Sequence, residues 1–206
     1  MAKRLFDLLC AGLGLFLLLP LLLLLAVWIK LDSRGPIFFR QERVGRHGRP
    51  FLIHKFRSMQ VGAPARGLQI TVGADPRITR AGRFLRASKL DELPQLWDVL
   101  RGAMSLVGPR PEVPKYVALY PEELRRVVLS VRPGITDLAS LEYRDESALL
   151  AAAADPEREY MEVVLPAKLA LSARYVREAS LGGDLRLIAG TLAVLLSRSR
   201  RTGPRR

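Results

Sequence analysis

Between Leu8 and Ile29 the chain runs for 22 residues without a charged side chain, and leucine dominates the run. As an α-helix rising 1.5 Å per residue it reaches about 33 Å, enough to cross the hydrocarbon core of a bilayer. A secretory signal would have a shorter apolar core and a small-residue cleavage site. Ala26-Val27-Trp28 is a poor one, and basic residues follow it. Two readings stay open from the residues alone: a helix that spans, and one that enters and returns on the same face. Pro20, near the middle, removes a backbone hydrogen bond and clashes with the carbonyl of Phe16. Lys3 and Arg4 precede the segment, and Lys30, Arg34, Arg40 and Arg43 follow it. Positive charge on both flanks marks no inside end for a spanning helix and suits a return to the cytoplasmic side.

Beyond Lys30 the sequence turns soluble-like, with a boundary between Lys30 and Ser33. The remainder suffices for one domain with a core. The charge of the whole chain is one-sided: 33 Lys and Arg against 20 Asp and Glu, a formal net charge of +13. Such a surplus attracts anionic lipid, nucleic acid or a phosphorylated substrate without choosing among them. Few aromatics interleave the basic residues and no nucleic-acid motif appears, which disfavours nucleic acid. Cys10 stands alone in the apolar run, excluding a disulfide framework and fitting a reducing, cytosol-facing setting. His47 and His54 cannot form a His-rich metal cluster.

Ile37-Phe38-Phe39 and Phe51-Leu52-Ile53 read as short strands around Gly45-Arg46-His47-Gly48, a hairpin. Residues from about Gly62 to Asp75 read as a loop. Thr79 caps a predicted helix through Ala87 that carries Arg80, Arg83 and Arg86 on one face. A second helix is expected from about Asp91 to Leu100, ending before Gly102. Pro121, Glu122 and Glu123 open a third, and Glu157 to Glu178 reads as helical, disturbed at Pro166. Leu185, Ile188, Leu192, Leu195 and Leu196 recur at helical spacing before Arg198, Arg200, Arg201, Arg205 and Arg206, the pattern of an interfacial helix on anionic lipid.

The chemistry concentrates at Ser88-Lys89-Leu90-Asp91-Glu92-Leu93-Pro94. Proline is tolerated only in a helix's first turn, so a helix must begin near Asp91, placing two adjacent carboxylates where the dipole and free N–H groups favour anions. There a carboxylate is kept ionised; one could attack phosphorus, and both could hold Mg²⁺. An isolated Asp-Glu pair at such a position is more often a cap and a first-turn acid. The basic set alters that balance: Arg86 lies shortly before, Lys55-Phe56-Arg57-Ser58-Met59 ends the hairpin, and Val107-Gly108-Pro109-Arg110-Pro111 follows an apolar strand. Arginines in rigid Pro/Gly settings around one acidic turn are what a diphosphate substrate requires.

These motifs, in this order, resemble the bacterial sugar transferase family, small monotopic phosphoglycosyl transferases that prime glycan assembly on undecaprenyl phosphate. The resemblance starts at Lys3-Arg4-Leu5-Phe6-Asp7, passes through Pro20 and Leu31-Asp32-Ser33, and continues with Phe38-Phe39-Arg40-Gln41-Glu42-Arg43-Val44-Gly45 and Lys55-Phe56-Arg57-Ser58-Met59. Asp75-Pro76-Arg77-Ile78-Thr79, Leu90-Asp91-Glu92-Leu93-Pro94-Gln95-Leu96, Ser105-Leu106-Val107-Gly108-Pro109-Arg110-Pro111 and Pro133-Gly134-Ile135-Thr136 complete it, so that it covers about residues 3–145.

The resemblance implies an α+β fold: a mostly helical, membrane-associated domain with a re-entrant N-terminal helix over 1–30 broken near Pro20, a small β-hairpin and interfacial amphipathic helices. Residues 31–206 would form a catalytic domain on the cytoplasmic face of a bacterial inner membrane. It implies that Asp91 attacks the sugar-bearing phosphorus of a UDP-sugar, releases UMP and passes the phosphosugar to undecaprenyl phosphate. Glu92 would assist, with Mg²⁺ beside Asp91 and Glu92. Lys55, Arg57 and Arg86 would hold phosphate, and Arg110 between Pro109 and Pro111 would face the nucleotide. Membrane lipid is an expected partner, nucleic acid is not, and a homodimer stays open.

Two positions depart from the family's usual pattern. Leu19 stands where a serine often precedes the helix-breaking proline. Asp137-Leu138-Ala139-Ser140-Leu141-Glu142-Tyr143-Arg144-Asp145-Glu146 replaces a more usual Gly-Trp and Arg-Asn continuation, in a segment expected to line the sugar pocket. Two rivals stand beside the family reading: a non-catalytic clamp on anionic lipid, which does not need Asp91-Glu92, and a phosphotransferase acting by direct displacement in one ternary complex.

Overall fold

The computed structural model describes residues 1–63 and 70–201, with side chains through residue 195. The expected arginines at 198, 200 and 201, and Leu196, lie outside the described side chains; Arg205 and Arg206 lie outside the described residues. The fold is α+β, mostly helical with two small sheets.

Helix α1 spans Ala2–Asp32. The break expected at Pro20 does not interrupt it: the proline lies inside one helix of 31 residues. One face packs on the body along the whole length, burying Asp7 and Ala11 near its start and Leu25 and Ile29 near its end, whereas Leu9, Leu13, Phe16, Leu17, Leu23 and Leu24 are exposed. Leucine on that outer face is equally content in lipid, so polar staples do more than apolar burial to hold the helix to the body. At its start Asp7 accepts from Ser105 Oγ at 2.8 Å and Leu106 N–H at 3.1 Å. Lys3 donates to the Val107 carbonyl at 3.0 Å and pairs with buried Asp184. Arg4 donates to the Val99 and Leu100 carbonyls at 2.7 and 3.1 Å. Gly14 meets the Leu96 side chain, and Gly12 has open space where a Cβ would lie, so neither glycine brings a second backbone against the helix.

Strands β1 (Phe38–Val44) and β2 (Pro50–Phe56) form the hairpin, longer than the two apolar triplets suggested, with Phe38 opposite Phe56 and Val44 opposite Pro50. Its turn holds His47 at φ 59. Helix α2 (Arg80–Ser88) starts as expected on Thr79, whose Oγ1 accepts from Gly82 N–H at 3.0 Å. Gly82 is required by packing: a Cβ there would come within 1.9 Å of the Ser58 carbonyl oxygen.

Helix α3 covers Gln95–Leu100, and β3 (Ser105–Val107) pairs in parallel with β4 (Gly134–Thr136). Here too a glycine is obligatory, since a Cβ on Gly134 would sit 2.1 Å from the Gly108 nitrogen. Between the strands lie α4 (Pro114–Val117) and α5 (Glu122–Val128). After β4 follow α6 (Leu138–Glu142), α7 (Glu146–Ala151) and α8 (Pro156–Glu159). A π-turn over Tyr160–Val164 leads into α9 (Leu165–Glu178), so Pro166 falls at that helix's start, where its missing N–H costs least. The largest buried cluster joins Val113, Tyr116, Val117, Val128, Leu150, Tyr160, Val164 and Leu169. On α10 (Leu181–Arg201) Leu185 and Leu192 remain about half exposed, so the predicted stripe is only partly covered by the body.

Candidate active site

Asp91 and Glu92 do not open an α-helix. They sit on a 3₁₀ turn, Leu90–Glu92, and α3 begins only at Gln95, after Pro94. The correction has a local cause. Lys89 ends α2 in the left-handed region, at φ 58, and the chain turns sharply there before Pro94 sets the next helix going. A lysine in that region is strained by about 1 kcal/mol, and its side chain borders the cavity that the turn faces.

The two carboxylates are buried, with opposite surroundings. Glu92 accepts from Lys55 Nζ at 2.8 Å and from both terminal nitrogens of Arg110. Burial pushes its pKa up, but Arg110 and Lys55 outweigh burial and hold Glu92 well below the usual carboxylate range. Burial also pulls Lys55 down, to about 8, against the attraction of Glu92. Asp91 has no such cover: its Oδ1 is buried without a hydrogen-bond partner. Burial, and then the charge of Glu92, raise its pKa above the ordinary aspartate value, opposed by Lys55, Arg86 and Lys89. Asp91 therefore lacks the helix terminus expected to favour its ionised form, and burial works against that form.

Asp91, Lys55, Arg86, Lys89 and Arg110 border one cavity of about 980 Å³. Arg86 reaches it from α2 and donates to Thr71 Oγ1 at 2.7 Å. A second charged group lines the same cavity: Glu112 accepts from Tyr160 Oη at 2.6 Å and lies 3.7 Å from Arg43 and 3.6 Å from Lys168, which also pairs with Glu146 at 2.9 Å. Burial favours neutral Glu112, yet Lys168 and Arg43 keep it below its usual value.

A family model described as bacterial sugar transferase matches residues 1–198. The chain belongs to that family. Among its relatives, the UDP-N-acetylgalactosamine-undecaprenyl-phosphate N-acetylgalactosaminephosphotransferase of Aeromonas hydrophila is 38% identical over 95% of this chain and 44% of its own length. The UDP-glucose:undecaprenyl-phosphate glucose-1-phosphate transferase of Xanthomonas campestris pv. campestris is 40% identical over 95% of this chain and 39% of its own. The exopolysaccharide production protein PSS of Rhizobium leguminosarum bv. phaseoli is 38% identical over 96% of both. The chain thus spans under half the length of the first two and nearly all of the third.

In this member of the family three of the anticipated substrate-binding residues, Lys55 and Arg86 for phosphate and Arg110 for the nucleotide, come together at Asp91. Arg57 borders the same cavity, but its hydrogen bonds run elsewhere. Its buried guanidinium donates to the carbonyls of Ile29, Ser33 and Arg34, at 3.3, 2.8 and 2.6 Å, and closes the end of α1. Pro109 and Pro111 do not border the cavity. Both are buried behind it, where their carbonyls accept from Gly134 N–H and Arg43 and so fix the backbone on each side of Arg110. Sequence reasoning missed Lys89 and the group of Arg43, Glu112, Glu146, Tyr160 and Lys168. An isolated lysine has no distinguishing pattern, and the group is assembled from four separate parts of the chain.

Proposed function

We propose that this chain moves a sugar 1-phosphate from a UDP-sugar to undecaprenyl phosphate in two displacements at Asp91, as the first membrane step of glycan assembly. The observation that carries the reading is the unpartnered buried oxygen of Asp91 beside cations of one cavity. In the first displacement an Asp91 oxygen attacks the sugar-bearing phosphorus, and the bond to the bridging oxygen breaks toward UMP. In the second a phosphate oxygen of the lipid attacks the same phosphorus, the bond to Asp91 breaks, and the carboxylate is restored. Lys55, Arg86, Lys89 and Arg110 face the diphosphate and offset its charge. Glu92 orients Lys55 and Arg110 through its ion pairs.

Mg²⁺ fits Asp91, whose free oxygen suits a hard cation that draws its other ligands from water and phosphate. It fits Glu92 only if Lys55 and Arg110 release the oxygens they occupy. The ion would supply charge neutralisation at the diphosphate. Turnover that survives exhaustive chelation would remove it from the reading.

The decisive experiment supplies a panel of UDP-sugars with one radiolabelled sugar phosphate each, without lipid. Label that stays on denatured protein, with an equal amount of UMP released, is the expected result. UMP formed only when lipid is present would favour direct displacement in a ternary complex, and no UMP under any condition would favour the non-catalytic clamp.

Both ends of α1 are stapled to the same body, through Asp7 at one end and Arg57 at the other. That supports a monotopic arrangement, with α1 entering and leaving the cytoplasmic leaflet of the inner membrane and α10 lying at the interface. Labelling of an N-terminal cysteine tag from the periplasm would overturn it.

A further inference from the structure

Strand β1 runs along the cavity wall from Phe38 to Arg43. Five residues of strand span about 17 Å, so these residues mark two ends. The Arg43 end is the charged one, with Glu112 and Lys168. The Phe38 end carries the apolar Pro36, Ile37, Phe38 and Val61, with the guanidinium of Arg57 engaged by the end of α1 beside them. Lys55, which holds Glu92, is the register partner of Phe39, so the apolar end lies one residue along β1 from the reacting turn.

That end is continuous with the membrane helix. Ile37 packs on the cluster containing Leu25 and Ile29 of α1. Val61 lies against the turn that leaves α1, close enough that a Cβ on Gly35 would come within 2.5 Å of its Cγ2. Phe38 stacks on Phe56 at 5.5 Å between ring centroids yet stays 42% exposed, and Val61 is 57% exposed. Single exposed apolar side chains need no explanation. Here they line one mouth of a charged cavity, beside a helix built for lipid.

Resting on the proposed function, we infer that the mouth between Phe38 and Val61 is the portal through which the first isoprene units of the polyprenyl phosphate leave the cavity for the bilayer. The acceptor must keep its tail in hydrocarbon while its phosphate reaches Asp91, which calls for an apolar exit next to that residue and open to lipid. A water-soluble nucleotide sugar has no use for such an exit and is matched by the charged Arg43 end.

The test separates the two displacements. In Phe38→Ser and Val61→Ser proteins, UMP release without lipid should stay within twofold of wild type, which also checks folding. The KM for undecaprenyl phosphate should rise about tenfold, as loss of a contact worth one decade of affinity predicts. An unchanged KM for the lipid in a variant that keeps UMP release overturns the portal. A second measurement uses the wild-type protein in vesicles with a polyprenyl phosphate carrying a photoreactive diazirine on its first isoprene. Labelling at Phe38 or Val61 is expected, and labelling confined to Phe84, Trp97 or α10 overturns the inference. The photolabel needs no donor, so it reads the portal even if UMP release fails and the proposed function falls.

Discussion

The two acids of the Leu90–Glu92 turn sit side by side in opposite surroundings. On the Glu92 side every carboxylate oxygen meets a cation, whereas on the Asp91 side a buried oxygen meets nothing. A satisfied buried charge is a fixture, and an unsatisfied one is a cost that the fold carries. Under the proposed mechanism the contrast divides the work: the acid left without partners reacts, and its neighbour holds the cations in place.

The largest effect that could break this contrast is at Asp91. Asp91→Asn should lower UMP release by at least about a thousandfold, because an amide is a far weaker nucleophile. The same variant should unfold a few degrees higher in a detergent melt. The sign follows from the raised pKa: ionising Asp91 costs stability in the fold but not in the unfolded chain. The gain from asparagine should therefore vanish below the ordinary aspartate range, grow as pH rises above it, and level off above the folded pKa. A melt lowered at pH 8 would contradict the assignment.

Next in size is the saturated side. Arg110→Met leaves buried Glu92 with Lys55 alone, and breaking such a pair costs about 3–5 kcal/mol. We expect a clearly lower melting temperature and roughly a hundredfold lower kcat/KM for the donor. Equal stability would mean that Glu92 does not depend on its arginine.

Arg57→Met should separate the arginine that closes the end of α1 from the cations gathered at Asp91. Three carbonyls at the end of α1 lose their donor, a loss of about 2–3 kcal/mol, while the KM for the donor should move by less than twofold. A large rise in that KM without loss of stability would restore Arg57 to the phosphate site.

The smallest effect tests Lys55. With its pKa near 8 in the free protein, Lys55 loses its charge as pH rises through that value. The donor kcat/KM should therefore decline above about pH 8. Lys55→Arg should move that decline to higher pH, since arginine stays protonated. An unchanged alkaline limb would assign it to another group.

What the sequence revealed follows range. Thr79 as a cap, the hairpin and the end of α3 before Gly102 each depend on a few adjacent residues, and each was legible, whereas the helix start expected at Asp91 gave way to a 3₁₀ turn. The turn of Arg57 toward α1 is also local. Strand alternation would put Lys55 and Arg57 on one face, but β2 ends at Phe56, which frees Arg57 to turn toward α1. The parallel pairing of β3 with β4 involves only three residues from each strand, too few for a pattern. Tyr160 and Glu112, 48 residues apart, meet only because the helices between them close the body. Asp91's missing partner could not be read at all, because the absence of a contact leaves no mark in a sequence.

The stapling of α1 also sets an order of events during synthesis. Asp7 finds its partners 98 and 99 residues downstream, and Lys3 pairs with a residue 181 positions later. At typical elongation rates Asp184 is made about 10–35 s after Lys3. Through the first half of that interval, while the apolar helix meets lipid, Lys3, Arg4 and Asp7 lack every native partner outside the helix. The growing chain must therefore hold Asp7 near the headgroups, in reach of water, until β3 has been translated. A nascent helix driven deeper would strand that carboxylate in hydrocarbon, so the depth of insertion is decided early and locked late.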